Sequence, residues 1–130
     1  AMADIVLPGL DDATQLTGLN EPDAIADFYL SLGARVVALT LGHEGSLVAT
    51  PVRRERFRPI KVDAIDATGA GDCYDGAFLA EYLRTGDAFA AGTYANVAAA
   101  LSTQGYGAVA PVPRRAEVEA RIAAEAGDAR

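Results

Sequence analysis

The stretch Asp66-Ala67-Thr68-Gly69-Ala70-Gly71-Asp72 sets two glycines around one alanine, then an acid, just ahead of a helical pattern. Glycine reaches backbone conformations closed to other residues and lets a ligand approach the amides. The first N–H groups of a helix point outward without partners, and the helix dipole favours an anion there. Together these two facts predict a phosphate cradle. Asp72 stands at its mouth. An acid in a first helical turn is ordinary helix-start charge. Beside a phosphate it is repulsive unless it has a task, and the natural task is to take a proton from a hydroxyl attacking phosphorus. Spacing alone leaves both readings open. Two neighbouring signatures fail. There is no Gly-Lys-Ser/Thr triplet, and Tyr74 stands where the dinucleotide fingerprint needs glycine.

Other chemically capable residues read more plainly. His43 is the one histidine and sits in a turn, so it reads as a loop residue whose backbone is the part that touches a ligand. Cys73 is the one cysteine. A thiol at a helix start has its pKa lowered, but a small residue packed under the turn is the plainer reading. Arg53, Arg54, Arg56 and Arg58 form a basic stripe, read as a solvated face with room for one arginine near a phosphate. Tyr74, Phe78 and Tyr82 recur at helical spacing and read as core. Glu117, Glu119 and Glu125 read as solvated helix positions.

The elements that must hold these residues mix strands with helices. Asp4 to Leu7 is an apolar run closed by Pro8-Gly9, a strand followed by a turn. Asp11 to Thr17 is a short helix with acids in its first turn and Gly18 after it. A second helix starts at Asn20 or Glu21 with Pro22 in its first turn. Ile25, Phe28, Tyr29 and Leu32 fall on one face, and Gly33 follows the helix. Arg35 to Leu41 is a β-branched apolar run that reads as a strand buried on both faces. Gly42 to Gly45 turns the chain into a second strand, Ser46 to Thr50, making a hairpin. Val52 to Arg58 is an exposed edge strand or a loop, and Ile60 to Asp63 another short strand. After the turn Asp66 to Gly71 comes a helix from about Asp72 to Arg84. Thr85-Gly86-Asp87 joins it to an alanine-rich helix, Ala88 to Thr103. Arg114 to Ala126 is a polar last helix. The class is α/β.

Composition sets the outer bounds. The 130 residues carry 18 acids against 11 bases, a formal net charge of −7. That argues against a nucleic-acid binder, which needs a basic face, and equally against a protein held on anionic lipid. One cysteine excludes an internal disulfide framework and a cysteine-based zinc site. No apolar stretch approaches the ~20 residues of a spanning helix, and the start lacks the pattern of an export segment. A reducing, cytoplasmic setting is expected.

DATGAGD followed by CYDGAFLAEYL resembles the signature of the PfkB carbohydrate kinase (ribokinase-like) family. Thr40-Leu41-Gly42-His43-Glu44-Gly45 resembles that family's nucleotide turn. Asn96, in YANVAAALSTQGYGA, matches the stretch reaching the adenine side, and Gly107-Ala108 the loop closing that pocket. The likeness runs from Asp4 to about Pro113. It implies a three-layer ribokinase-like fold, of which this chain is the C-terminal part. It implies Asp72 as general base for a sugar hydroxyl, and Gly69, Ala70 and Gly71 as the anion hole for the γ-phosphate. Thr40, Leu41, Gly42, His43, Glu44, Gly45 and Asn96 then bind the nucleotide. Asp66 and Thr68, with carbonyls near Ser102, Gly105 and Gly107, match a monovalent-cation site for potassium.

There are departures. Many members carry Asn-x-x-Glu where this chain has Gly9-Leu10-Asp11-Asp12, which leaves Asp12 to hold magnesium through water. A serine sometimes used on the cation falls at Pro111, and a common threonine is Ala67. Family members run to roughly 300 residues, above the usual single-domain size. Residues 1–130 thus read as one ATP-binding portion, without the N-terminal sugar-binding half and lid.

The implied activity is transfer of the ATP γ-phosphoryl group to a hydroxyl of a sugar or sugar acid, with Mg²⁺ required. The style of DIVLPGLDDATQLTG and ALSTQGYGAVAP resembles the branch acting on 2-keto-3-deoxygluconate. The competing reading is a truncated, non-catalytic nucleotide-binding module. Expected partners are ATP, a small sugar substrate, and either a second copy of the chain or the missing half.

Overall fold

A strand buried on both faces needs apolar side chains at every position, and the first four residues of β2, Val36–Thr40, meet that demand. The computed structural model describes residues 5–60, 70–103 and 115–128. The chain divides into two compact units, Ala1–Pro59 and Ile60–Arg130.

The first unit is a four-stranded sheet in the order β1-β2-β3-β4, with β1 at Ile5–Val6, β3 at Ser46–Ala49 and β4 at Arg54–Phe57. β1 runs parallel to β2, with Ile5 opposite Val36. β3 returns antiparallel, Leu39 opposite Leu47, as the expected hairpin. β4 pairs antiparallel with β3, so the ambiguous arginine-rich segment is an edge strand. Helix α1, Leu10–Thr17, and helix α2, Pro22–Ser31, supply the apolar cover. Ala13, Ile25 and Ala26 pack with Leu39, Leu41, Leu47 and Ala49 on one sheet face. The alternate residues Val36, Ala38, Ser46 and Val48 are equally buried, as a strand apolar on both faces requires. Arg54 ties the edge back to α2, reaching Asp23 at 3.0 Å and Asp27 at 2.6 Å.

The second unit is helical where described. α3 spans Ala70–Thr85, α4 Ala88–Ser102 and α5 Arg115–Asp128. α3 begins two residues before its expected start at Asp72. Alanine is the best helix former, and Gly71 is not among the glycines of positive φ, so the first turn closes over both. Asp87 caps α4, accepting hydrogen bonds from the Phe89 amide at 2.9 Å and the Ala90 amide at 3.1 Å. Ala91, Gly92, Ala95 and Ala98 are buried along α4, and such small residues let two helices approach closely. Tyr74, Phe78 and Tyr82 stack along α3 with ring centroids 6.1 Å apart at each step. Val97, Ala98 and Val118 form a core to which Ile60, Cys73, Ala77, Leu101 and Ile122 add.

One acid is buried among these helices. Glu81, its side chain 7% exposed, accepts from Arg84 at 2.8 Å and from Arg115 at 2.5 Å. Arg115 also lies over the Tyr94 ring, 4.6 Å from its centroid. Of the strand expected at Ile60 to Asp63, only Ile60 is among the described residues, and it lies outside any strand. Glu117 and Glu119 are exposed as expected, while Glu125 pairs with Arg121 at 2.7 Å.

Candidate functional site

The candidate residues fall into two groups, one in each unit. In the first, β1 and β2 end side by side. The Thr40 amide donates to the Pro8 carbonyl at 3.0 Å, and Gly9 bridges to Thr40. The chain then enters α1 at once, with Asp11 and Asp12 exposed in its first turn. Asp12 and the Thr40 turn are thereby brought to the same end of the sheet. That end, beyond the C-termini of parallel strands, is where ligands bind in open α/β sheets.

Residues Gly42–Glu44 form a single tight turn that Gly45 closes. The Leu41 amide donates to the Gly45 carbonyl at 2.9 Å. Gly45 has φ +95, and a Cβ there would fall 2.0 Å from the Phe57 carbonyl oxygen. No other residue fits that position, because a side chain would strike backbone. Leu41 is buried, whereas Gly42 and Glu44 are exposed. The His43 side chain lies outside the described part.

In the second group, Gly71 and Asp72 are exposed in the first turn of α3. A Cβ at Gly71 would meet nothing within 4 Å, so its bareness leaves space outside the helix. Asp75, one turn on, is half-buried. Burial, and then the charge of Asp72, push its carboxyl up to about 6. Sequence reasoning missed Asp75; the signal was a second acid one turn after Asp72, but its burial depends on packing. Cys73 donates to the Ala98 carbonyl at 3.6 Å. Burial pushes its thiol up, against a smaller opposing effect of the Ser102 hydroxyl. The lowered thiol pKa considered for a helix start is therefore corrected, since burial disfavours the charged thiolate.

These contacts set Ser102, in the last turn of α4, beside the first turn of α3. Ser102 donates to the Ala99 carbonyl at 2.6 Å. Asn96 lies farther up α4, 8% exposed. Asp66, Thr68, Gly69, Gly105 and Gly107 lie outside the described residues, as do Ala67, Ala108 and Pro111.

Among the described residues no three His, Cys, Asp or Glu side chains gather as a metal cluster. Magnesium does not need one, since it keeps most of its water and takes one or two carboxylates plus substrate phosphates. Exposed Asp12 fits that demand. No helix among the described residues is long and apolar enough to cross a membrane.

The family described as pfkB family carbohydrate kinase matches residues 1–115. Ribokinase of Staphylococcus aureus is 36% identical over 124 residues, covering 91% of this chain and 41% of that protein. The 2-dehydro-3-deoxygluconokinase of Bacillus subtilis is 32% identical over 128 residues, covering 95% of this chain and 39% of that protein. A double mutant of fructokinase from Vibrio cholerae, solved with fructose, ADP and a potassium ion, superposes with a TM-score of 0.80 at 30% identity. That likeness covers 90% of this chain and 40% of the fructokinase. The chain spans about two fifths of the length of each of these proteins.

Proposed function

This chain belongs to the pfkB family of carbohydrate kinases, and from that premise we propose that it is the ATP-binding portion of an enzyme that phosphorylates a sugar or sugar-acid hydroxyl. One observation carries the assignment of roles. The exposed carboxylate of Asp72 stands in the first turn of a 16-residue helix, next to a glycine with open space around it. A carboxylate so placed accepts the proton of an attacking hydroxyl as the bond to phosphorus forms. On this reading the amides of Gly69, Ala70 and Gly71 stabilise the charge that grows on the transferring phosphoryl group.

Thr40 to Gly45 and Asn96 hold the nucleotide. Asp12 holds magnesium through water, and the ion when bound neutralises phosphate charge. Asp66 and Thr68, with carbonyls near Ser102, Gly105 and Gly107, hold a monovalent cation, potassium. Carbonyls at the C-terminal end of α4 suit such an ion, because the dipole is negative there. Substrates of the ribokinase and 2-keto-3-deoxygluconate type both fit the family.

β1 lies at the edge of the described sheet and is apolar and half-buried. Its open side takes a strand from a second copy or from the sugar-binding half. Light scattering tests this, and a monodisperse mass of 13.4 kDa would contradict it.

The catalytic assignment is tested by Asp72→Asn in a protein that includes the sugar-binding half. Turnover should fall by about 10²–10⁴-fold, as on losing a general base. ATP affinity should hold or rise, because a negative charge near the phosphates has gone. Near-normal turnover would sink the assignment. Titration of the 130-residue chain with ATP, with and without sugars, separates a kinase portion from a bare nucleotide-binding module.

A further inference from the structure

The end of the sheet assigned to the nucleotide is acidic. Asp11, Asp12 and Glu44 are all exposed there. A nucleoside di- or triphosphate brought to the Thr40–Gly45 turn meets like charge, and a protein cation must share the neutralisation with magnesium.

β4 brings such a cation. Its register sets Leu47 opposite Arg56 and Ser46 opposite Phe57. That register, continued one step beyond the end of β4, sets Arg58 opposite Gly45. The backbone agrees, since the Cβ position of Gly45 lies 3.1 Å from the Arg58 carbonyl carbon and 3.0 Å from the Pro59 nitrogen. Side chains alternate along a strand, so Arg54 and Arg56 share one side of β4, and the same alternation carried one step past its last residue, Phe57, brings Arg58 to that side. Arg58 is the member of the series level with the turn, is exposed, and faces a residue with no side chain.

We propose that Arg58 is a nucleotide-binding residue whose guanidinium meets the phosphate chain of a nucleotide lying along the Thr40–Gly45 turn. The inference rests on the nucleotide reading given above. Arginine suits the task because its charge is permanent and its planar fork matches phosphate oxygens.

The test is calorimetric titration of the 130-residue chain and of Arg58→Gln, Arg58→Lys and Arg56→Gln with ATP, ADP and adenosine. Arg58→Gln should weaken ATP and ADP by about five- to tenfold at low salt, with the difference shrinking at ~0.5 M salt as the charge is screened. Adenosine should bind unchanged, Arg58→Lys should recover part of the loss, and Arg56→Gln should lose less. Unaltered ATP affinity in Arg58→Gln overturns the proposal alone. Equal losses for ATP and adenosine overturn it too, since they mark a disturbed turn. Failure of the unaltered chain to bind ATP overturns the nucleotide reading and this proposal with it.

Discussion

Replacing Glu81 by glutamine removes one charge and keeps the shape, which isolates what the buried carboxylate contributes. It accepts hydrogen bonds from Arg84 Nε at 3.1 Å, Arg84 Nη2 at 2.8 Å and Arg115 Nη2 at 2.5 Å. The two arginines hold its pKa at about 2, against an ordinary 4.5. At about 1.4 kcal/mol per unit, that difference sets a ceiling near 3 kcal/mol. Arg84 and Arg115 are 58% and 41% exposed. Water and salt therefore screen the pair, and about 1–2 kcal/mol is the expected contribution.

The sign follows from linkage. A carboxylate whose pKa is depressed on folding stabilises the folded state fully above its unfolded pKa. That contribution is lost as pH falls from 4.5 toward about 2. Urea denaturation of the chain and of Glu81→Gln, followed by circular dichroism, measures the difference. At neutral pH the variant should be less stable by about 1–2 kcal/mol, and the gap should narrow steadily below pH ~4.5. Equal stability at neutral pH, or a gap that widens on acidification, would refute the reasoning.

Asp75 has the opposite sign, because its folded pKa is raised from 3.8 to about 6. Its favourable state is protonated and is lost as pH rises through that range, so Asp75→Asn should stabilise the chain by about 1 kcal/mol at pH ~8 and by nothing near pH ~3. Carbon NMR of Asp72→Asn should find the Asp75 pKa lowered; an unchanged value would separate the two carboxylates. Gly45→Ala should cost more than Gly86→Ala in a thermal melt. Both positions have positive φ, at +95 and +70, but only Gly45 has backbone where the methyl must go. Strain alone is about 1–3 kcal/mol, so equal losses at the two sites would show that the Phe57 carbonyl gives way.

Local patterns were legible where neighbours in sequence decide the outcome. The run Arg35 to Leu41 reads as a buried strand because it is apolar on both faces over most of its length, and Val36–Thr40 of it is one. Asp72 stands out because the glycines beside it have few other uses. What escaped depended on distant partners. The segment Arg54–Phe57, left between edge strand and loop by its own residues, is an edge strand whose first arginine meets acids 27 and 31 residues away. Glu81 drew no reading from the sequence, though it continues the buried face of Tyr74 and Phe78, and its second arginine lies 34 residues on. The start of α3 was set late because an Ala-Gly pair reads equally as turn or helix until the fold closes it.

The alanine seam of α4 has a kinetic consequence. Alanine and glycine have no side-chain rotamers to lose, whereas each buried leucine or isoleucine gives up about 0.5–1 kcal/mol of rotamer freedom on ordering. Closing α4 against α3 across a short joint is thus a local contact with a small entropic barrier. Contacts close in sequence form fastest. The expected folding nucleus of this unit is therefore the α3–α4 hairpin, with α5 docking on it afterwards and its Arg115 meeting Glu81 last.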